Sequence, residues 1–318
     1  METVKNSDSI AKKILELKTK KNAIILAHYY QESEIQDIAD FVGDSLDLSR
    51  RAASADADII VFAGVHFMAE TAKILAPDKK VLLPDIDAGC SLADSCPPED
   101  FAAFKARYPG HTVISYVNTT ARIKALTDIV CTSTNALEII RSLPEDEKII
   151  FAPDRNLGRY IQSQTGRSMH IWDGACHVHE EFSLERILEM KKQYPEAKII
   201  AHPECEKPII IIADHVGSTS SLLHFSREDD AATFIVATES GILHQMRKAS
   251  PGKTFLPAPP KDSSCACNDC SYMKLITMKK LLFSLENEEP EITLDQDLMA
   301  QARGSIVRML EISDRLKL

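Results

Sequence analysis

One pattern recurs three times along this chain: a short Ile/Val-rich run that ends in a side chain able to carry or orient a proton, with another such side chain two positions later. The runs read Ile24-Ile25-Leu26-Ala27 before His28 and Tyr30, Val113-Ile114-Ser115 before Tyr116 and Asn118, and Ile199-Ile200-Ala201 before His202 and Glu204. His28 and Tyr116 are 88 residues apart, and Tyr116 and His202 are 86 apart. A threefold internal repeat is the simplest explanation, and a repeat constrains the fold more than any local propensity does. Its register persists, because Ser45, Ser133 and Ser218 follow a second run at 17, 17 and 16 residues after those positions. Third runs at 59–63, 149–152 and 233–237 each precede a helical pattern. Each copy then supplies thiols: Cys90, Cys176 and a group of Cys265, Cys267 and Cys270, with steps of 86 from Cys90 to Cys176 and 94 from Cys176 to Cys270.

Short apolar runs alternating with helices of period near 3.6 predict an α/β chain with buried parallel strands. The helical stretches include 136–142 and 184–194, and an amphipathic helix over about 6–21 introduces the first copy. Breaks fall at Tyr108-Pro109-Gly110 and Tyr194-Pro195-Glu196, where a helix stops before the next strand. The expected division is therefore 1–109, 110–195 and 196–318. No apolar run in the 318 residues approaches the roughly 20 needed to span a bilayer. With 37 Lys and Arg against 47 Asp and Glu, the net charge of −10 disfavours binding to nucleic-acid phosphates. The segment Met1-Glu2-Thr3-Val4-Lys5 has no basic-then-apolar leader, so the cytoplasm is the expected location. Eight cysteines in such a chain favour reduced thiols, some of them metal ligands, over a disulfide framework.

Open parallel sheets bind ligands outside the carboxyl ends of their strands. If three related domains point those ends at one centre, a single pocket receives His28 and Tyr30, Tyr116 and Asn118, His202 and Glu204, and a thiol from each copy. His and Tyr can pass protons, Glu can act as a base, and Asn can orient a carbonyl or carboxylate. Ser45, Ser133, Ser218 and Thr219 precede helical patterns. They can cap those helices, and a hydroxyl beside free helix N–H groups also attracts phosphate or carboxylate. Zinc fits the thiols poorly, since only Cys267-x-x-Cys270 has close ligand spacing. Three thiolates from separate segments suit a [4Fe–4S] cluster whose fourth iron lacks a protein ligand and acts as a Lewis acid. Cys131 and Cys205 read as small buried hydrophobes, and Cys96 has no partner in the repeat.

Nine segments together resemble the quinolinate synthase family over essentially the whole chain. They are 27–31 (Ala-His-Tyr-Tyr-Gln), 43–46 (Gly-Asp-Ser-Leu), 88–94 (Ala-Gly-Cys-Ser-Leu-Ala-Asp), 116–119 (Tyr-Val-Asn-Thr), 131–133 (Cys-Thr-Ser), 174–179 (Gly-Ala-Cys-His-Val-His), 202–205 (His-Pro-Glu-Cys), 217–219 (Gly-Ser-Thr) and 270–273 (Cys-Ser-Tyr-Met). The resemblance implies three pseudo-threefold-related αβα sandwich domains, with short parallel sheets, around a central [4Fe–4S] cluster and active site. It implies condensation of iminoaspartate with dihydroxyacetone phosphate to give quinolinate for NAD biosynthesis, and a functional link to an aspartate-oxidising enzyme. Cys90, Cys176 and Cys270 take the places of the cluster ligands. The substrate-contacting places fall on His28, Ser45, Tyr116, Val117, Asn118, Ser133, His202, Pro203, Glu204 and Thr219, with Tyr30 a further catalytic side chain; the repeat itself adds Ser218 as a candidate contact. The chain departs from the family in its last thiol segment, where Ser264 stands at the first place of a Cys-x-x-Cys-x-x-Cys run and Ser271 replaces a common Pro.

Two other readings share the same thiols. One is an aconitase-like hydro-lyase acting on a hydroxy acid. The other is a non-enzymatic iron–sulfur redox sensor with a reversible Cys267–Cys270 disulfide as its switch, which leaves the three strand-end pairs without a purpose.

Overall fold

The computed structural model of the chain describes residues 2–262 and 269–318. Ser264, Cys265 and Cys267 lie outside those residues, and with them the reading of a Cys267–Cys270 disulfide.

Among the described residues, twelve strands form three four-stranded sheets, all parallel. The first holds β1 (Ala23–His28), β2 (Phe41–Gly43), β3 (Ile59–Ala63) and β4 (Lys80–Leu82), in the order β2-β1-β3-β4. The second holds β5 (Thr112–Tyr116), β6 (Ile129–Cys131), β7 (Ile149–Ala152) and β8 (Met169–Ile171), in the order β6-β5-β7-β8. The third holds β9 (Lys198–Ala201), β10 (His215–Val216), β11 (Thr233–Ala237) and β12 (Thr254–Pro257), in the order β10-β9-β11-β12. One topology is thus used three times, and the turns at 109/110 and 195/196 fall between sheets.

A single side-chain device shows how closely the copies correspond. Asp40, Asp128 and Asp214 each accept a 2.8 Å hydrogen bond from a backbone N–H near the start of the inner strand, that of Ile25, Val113 and Ile199 respectively. Each aspartate also returns its own N–H to the carbonyl of that same strand residue. The loop before β2, β6 or β10 is thereby clipped to β1, β5 or β9, and its backbone polar groups find the partners that burial demands.

The strands are buried almost throughout, which is why they read as continuous apolar runs rather than alternating ones. In the third sheet, Ile199, Ala201, Ile235 and Ala237 pack on one face, while Ile200, Phe234 and Val236 pack on the other. Helices cover both faces, so each unit is an αβα sandwich. The N-terminal helix runs Glu2–Lys20, and the helical stretches expected at 136–142 and 184–194 form Ala136–Arg141 and Leu184–Gln193. No helix among the described residues is long and apolar enough to cross a membrane.

The two C-terminal helices follow the third sheet in sequence but pack elsewhere. Met278–Asn287 lies against the N-terminal helix and β3, and Gln296–Leu316 crosses β6 and the helices Ala121–Ala125 and His66–Leu75. Their apolar side chains Leu281, Leu285, Ala302, Ile306 and Met309 join one core with both the first and second sheets. Polar side chains fix the crossing. Ser305 Oγ donates to the Lys124 carbonyl at 2.9 Å, and Asn135 Nδ2 donates to Ser313 Oγ at 2.9 Å.

Ile306 is fully buried in this shared core. Ile306→Ala should therefore cost about 2–5 kcal/mol of unfolding free energy through lost burial and an unfilled cavity. Denaturant titration should show one cooperative transition that loosens the first two units together.

Candidate active site

The carboxyl ends of the three inner strands open on one cavity. His28 is the last residue of β1, Tyr116 the last of β5, and His202 the first after β9. All three line the cavity, together with Tyr30, Asn118 and Glu204 from the positions two residues later. Ser45, Ser133 and Thr219 line it as well, as do the thiols Cys90, Cys176 and Cys270. Val117 and Pro203 are buried behind it and Ser218 stands beside it, none of them on the lining.

Ser218 is displaced for a simple reason. Strand pairing sets Gly43 opposite His28 and Cys131 opposite Tyr116, and the Gly217 N–H continues the β9–β10 ladder by bonding the Ala201 carbonyl at 3.1 Å. Ser45, Ser133 and Thr219 are therefore the equivalent hydroxyls. Ser218 occupies the preceding N-cap position, where its hydroxyl accepts from Ser221 N at 3.3 Å. In the first copy that capping position belongs to Asp44.

Glu204 sits at the centre of the polar network, 3% exposed. Tyr116 donates its hydroxyl to Oε1 at 2.6 Å, and His179 Nδ1 lies 3.3 Å from Oε2. Burial opposes ionisation of this carboxyl, but the contact with His179 and the Tyr116 hydroxyl favour the charged form and hold it below the usual range. His28 and His202 go the other way. Burial lowers His28 to about 4 and His202 to about 3, so both imidazoles are neutral near pH 7. Each accepts at Nδ1 a backbone N–H from two residues later, Tyr30 N at 3.2 Å and Glu204 N at 3.4 Å, which places the ring proton on Nε2. The 3.5 Å approach of His202 Nδ1 to Glu204 Oε1 is accordingly a contact of a neutral ring rather than an ion pair. Burial, then the Glu204 charge, keeps the phenols of Tyr30 and Tyr116 well above their ordinary value and hence protonated.

Two network members, His179 and Thr238, were not singled out in the sequence. His179 Nε2 lies 3.0 Å from Thr238 Oγ1, which in turn lies 2.7 Å from the Tyr30 hydroxyl. His179 Nδ1 also lies 3.2 Å from Cys176 Sγ, so this ring joins the Tyr30–Thr238 pair to both Cys176 and the Glu204–Tyr116 pair. The signal for His179 was its place three residues after Cys176 in Cys-His-Val-His, one turn along the helix His177–Glu180. A further unread residue, Glu239, lies two residues beyond β11. Its carboxylate takes the Gly241 N–H at 2.7 Å and the Cys270 N–H at 3.2 Å and pairs with Lys274 at 3.1 Å, while Lys274 also reaches the Tyr30 carbonyl at 2.8 Å. Burial raises this carboxyl to about 7 against the pull of Lys274. The arrangement clips the Cys270 segment to the turn that carries Tyr30.

The thiols suit a metal. Burial raises Cys90 to about 12, Cys270 to about 11 and Cys176 well above its ordinary value, and neighbouring thiols add to the rise at Cys90 and Cys176. Three desolvated sulfurs lining one cavity share charge poorly as free thiolates but can exchange their protons for metal bonds. Cys96, Cys131 and Cys205 are buried in the cores, so among the described residues no fourth thiol reaches the cavity. Cys176, His179 and Glu204 also place one ligand atom each within 4.8 Å of one another. Asn118 Oδ1 is buried without a hydrogen-bond partner, an acceptor directed at whatever fills the space.

A pseudo-threefold α/β scaffold with a buried anion, neutral imidazoles, protonated phenols and three thiols around one cavity has the features of a metal-dependent enzyme of proton-transfer chemistry. Comparison with known proteins gives the particular family. Residues 12–311 match the family model described as Quinolinate synthetase A protein, and the chain belongs to that family. It is 61% identical to the quinolinate synthase of Thermosynechococcus vestitus over 300 residues, 94% of each chain. Against that of Synechocystis sp. it is 62% identical over 94% of each chain, and against that of Microcystis aeruginosa 60% identical over 96% of each. The family carries a metal cofactor and acts on small molecules, and this membership does not favour the hydro-lyase or sensor readings.

The neutral histidines make a pH prediction. Their depressed values mean that the unfolded chain takes up protons below about 6.5 while the folded chain does not. The stability they contribute is full above 6.5 and is lost as pH falls toward 4 and 3. Unfolding of the metal-free protein, followed from pH 7 to 4.5, should weaken by up to about 1.4 kcal/mol per pH unit for each histidine. A variant carrying His28→Gln and His202→Gln should show a shallower slope.

Proposed function

We propose that this cavity forms quinolinate from iminoaspartate and dihydroxyacetone phosphate, releasing phosphate and water. The observation that carries this reading is the convergence of three thiols, three hydroxyls and the buried carboxylate of Glu204 on a single cavity at the carboxyl ends of three sheets. Cys90, Cys176 and Cys270 would hold a [4Fe–4S] cluster. When bound, that cluster supplies an iron without a protein ligand, a Lewis acid able to polarise an imine or carboxylate. In this reading His179 serves Cys176 and the network around Glu204 rather than a separate mononuclear metal, since Nε2 has Thr238 and Nδ1 has Cys176 Sγ and Glu204 as neighbours.

The chain's own side chains have separable roles. Ser45, Ser133 and Thr219 bind the phosphate group of the triose. Asn118, with its free acceptor, orients the amino-acid-derived substrate. Glu204, ionised and desolvated, takes protons during isomerisation and dehydration, and Tyr30 and Tyr116 return them. His28 and His202, each with a proton on Nε2, donate hydrogen bonds to developing negative charge without adding a full positive charge of their own. Burial of these groups excludes water from an unstable imine. An imine of this kind must come from an enzyme that oxidises aspartate, which is the supply the reaction needs.

Anaerobic reconstitution with iron and sulfide, followed by assay of quinolinate and phosphate, tests the whole reading. An intact cluster that yields no product from the two substrates would overturn it. Cys90→Ala, Cys176→Ala and Cys270→Ala should each leave a folded protein without the cluster's visible absorbance. Wild-type iron content in any one of them removes that residue from the ligand set.

Glu204→Gln separates base from scaffold. The cluster should assemble and substrates should bind, while turnover per cluster falls by about 10²- to 10⁴-fold, a barrier increase of roughly 3–5 kcal/mol. Near-normal turnover with a lowered melting temperature would instead make Glu204 a structural group.

A further inference from the structure

Asp44 has more hydrogen bonds than its position in the chain requires. It caps the helix Ser45–Ala53, with Oδ1 accepting from Leu46 N at 3.0 Å and Asp47 N at 3.1 Å. Capping is complete with that one oxygen, as the equivalent Ser218 shows with a single hydroxyl in the third copy. The second oxygen reaches out of the first copy altogether. Oδ2 accepts from Thr134 Oγ1 at 2.6 Å in the second copy and from Ser220 Oγ at 2.7 Å in the third.

The donors are not scattered. Leu46, Thr134 and Ser220 are spaced 88 and 86 residues apart, the step of the repeat itself, so one carboxylate gathers the same position from all three copies. Each donor adjoins in sequence one of the cavity hydroxyls, Ser45, Ser133 and Thr219. Asp44 is 3% exposed, and its two oxygens receive four neutral donors, about the number a carboxylate can take. A carboxylate filled in this way has little acceptor capacity left for other donors. It also ties together three helix starts that no chain segment connects directly.

We propose that Asp44 is a positioning residue that sets the spacing of Ser45, Ser133 and Thr219, so that the three act as one subsite for a phosphate group. The inference deepens the reading of those hydroxyls given above and rests on it. Three hydroxyls from three separate units converge on one anion only if the units hold register to a fraction of an ångström, and apolar packing alone specifies such distances less sharply than short charge-assisted hydrogen bonds.

The test uses the cluster-loaded enzyme and two sets of substitutions. Asp44→Ser keeps a capping hydroxyl but is too short to reach Thr134 and Ser220. Thr134→Val with Ser220→Ala keeps Asp44 and its cap and removes the two donors. Both should raise KM for dihydroxyacetone phosphate and the inhibition constant of inorganic phosphate by roughly tenfold or more, with kcat falling much less. Combining them should add little to Asp44→Ser alone, because both remove the same link. Should Asp44→Ser fail to fold, the Thr134 and Ser220 pair decides by the same two constants. Lowered thermal stability with both constants unchanged would reduce Asp44 to a structural rivet and overturn the proposal.

Calorimetric titration with inorganic phosphate separates this inference from the reaction assigned above. Loss of phosphate binding in the variants sustains the role of Asp44 even if the wild type makes no quinolinate. Equal phosphate binding in wild type and variants, or none in the wild type, overturns it even if quinolinate is made.

Discussion

Parallel pairing in all three sheets is the constraint from which the active cavity follows. Every strand in a parallel sheet ends on the same side, so each unit presents its loops, helix N-termini and last strand residues at one edge. Three such edges turned inward enclose a space lined by strand ends. The inner strands β1, β5 and β9 deliver His28, Tyr116 and His202 there, and the turn after each delivers a second polar side chain two residues later. Because the apolar runs are buried on both faces, they cannot slip in register without burying those polar ends in a core. The clips from Asp40, Asp128 and Asp214 hold the same alignment from the outer side.

The electrostatic character of the cavity comes from desolvation more than from charge pairing. Burial strips the charge from His28 and His202 and keeps Tyr30 and Tyr116 protonated, while Glu204 holds its charge because its oxygens face Tyr116 and His179. Among the described residues no lysine or arginine forms a salt bridge with Glu204, so its oxygens face the cavity network rather than a fixed cation. Glu239 shows the contrast. It is equally buried, yet it is paired with Lys274 and bonded to two backbone N–H groups, and it positions the Cys270 segment. Glu204 and Glu239 thus serve different ends in one cavity because their neighbours differ.

Much of this was legible in the chain because repetition turns weak local signals into a register. The strand-end pairs, Cys90 and Cys176 were each unremarkable alone and became informative at steps of 88 and 86 residues. Where residue identity was followed in preference to spacing, the reading slipped by one. Ser218 was matched to Ser45 and Ser133 as the same amino acid at 16 residues, whereas backbone pairing makes Thr219, at 17, the equivalent. Thr238 was not legible, and His179 carried only its spacing from Cys176, since what defines both is contact between copies, and sequence periodicity reports only the faces within one element. The same limit applies to the helix Gln296–Leu316, whose apolar stripe is plain but whose partners, β6 and the helices of the first two units, are set by three-dimensional packing.

The copies also differ in an ordered way, and the pattern of differences indicates how a symmetric scaffold supports an asymmetric reaction. At the positions of Ser45, Ser133 and Thr219 all three copies retain a hydroxyl. A phosphate group has local threefold symmetry, so identical donors from three directions suit it. Two residues beyond the inner strands nothing is retained, and the positions hold a phenol, an amide and a carboxylate in Tyr30, Asn118 and Glu204. Substrates without that symmetry need different groups on different sides: one to give a proton, one to orient a carbonyl, one to take a proton away. One position earlier than the hydroxyls, Asp44, Thr132 and Ser218 differ as well, and only the first can bond beyond its own unit. Three carboxylates there would crowd like charges around the axis and repel an anion, whereas a single one suffices to collect donors from both other copies. Symmetry is thus kept where the ligand is symmetric and abandoned where the chemistry is directional.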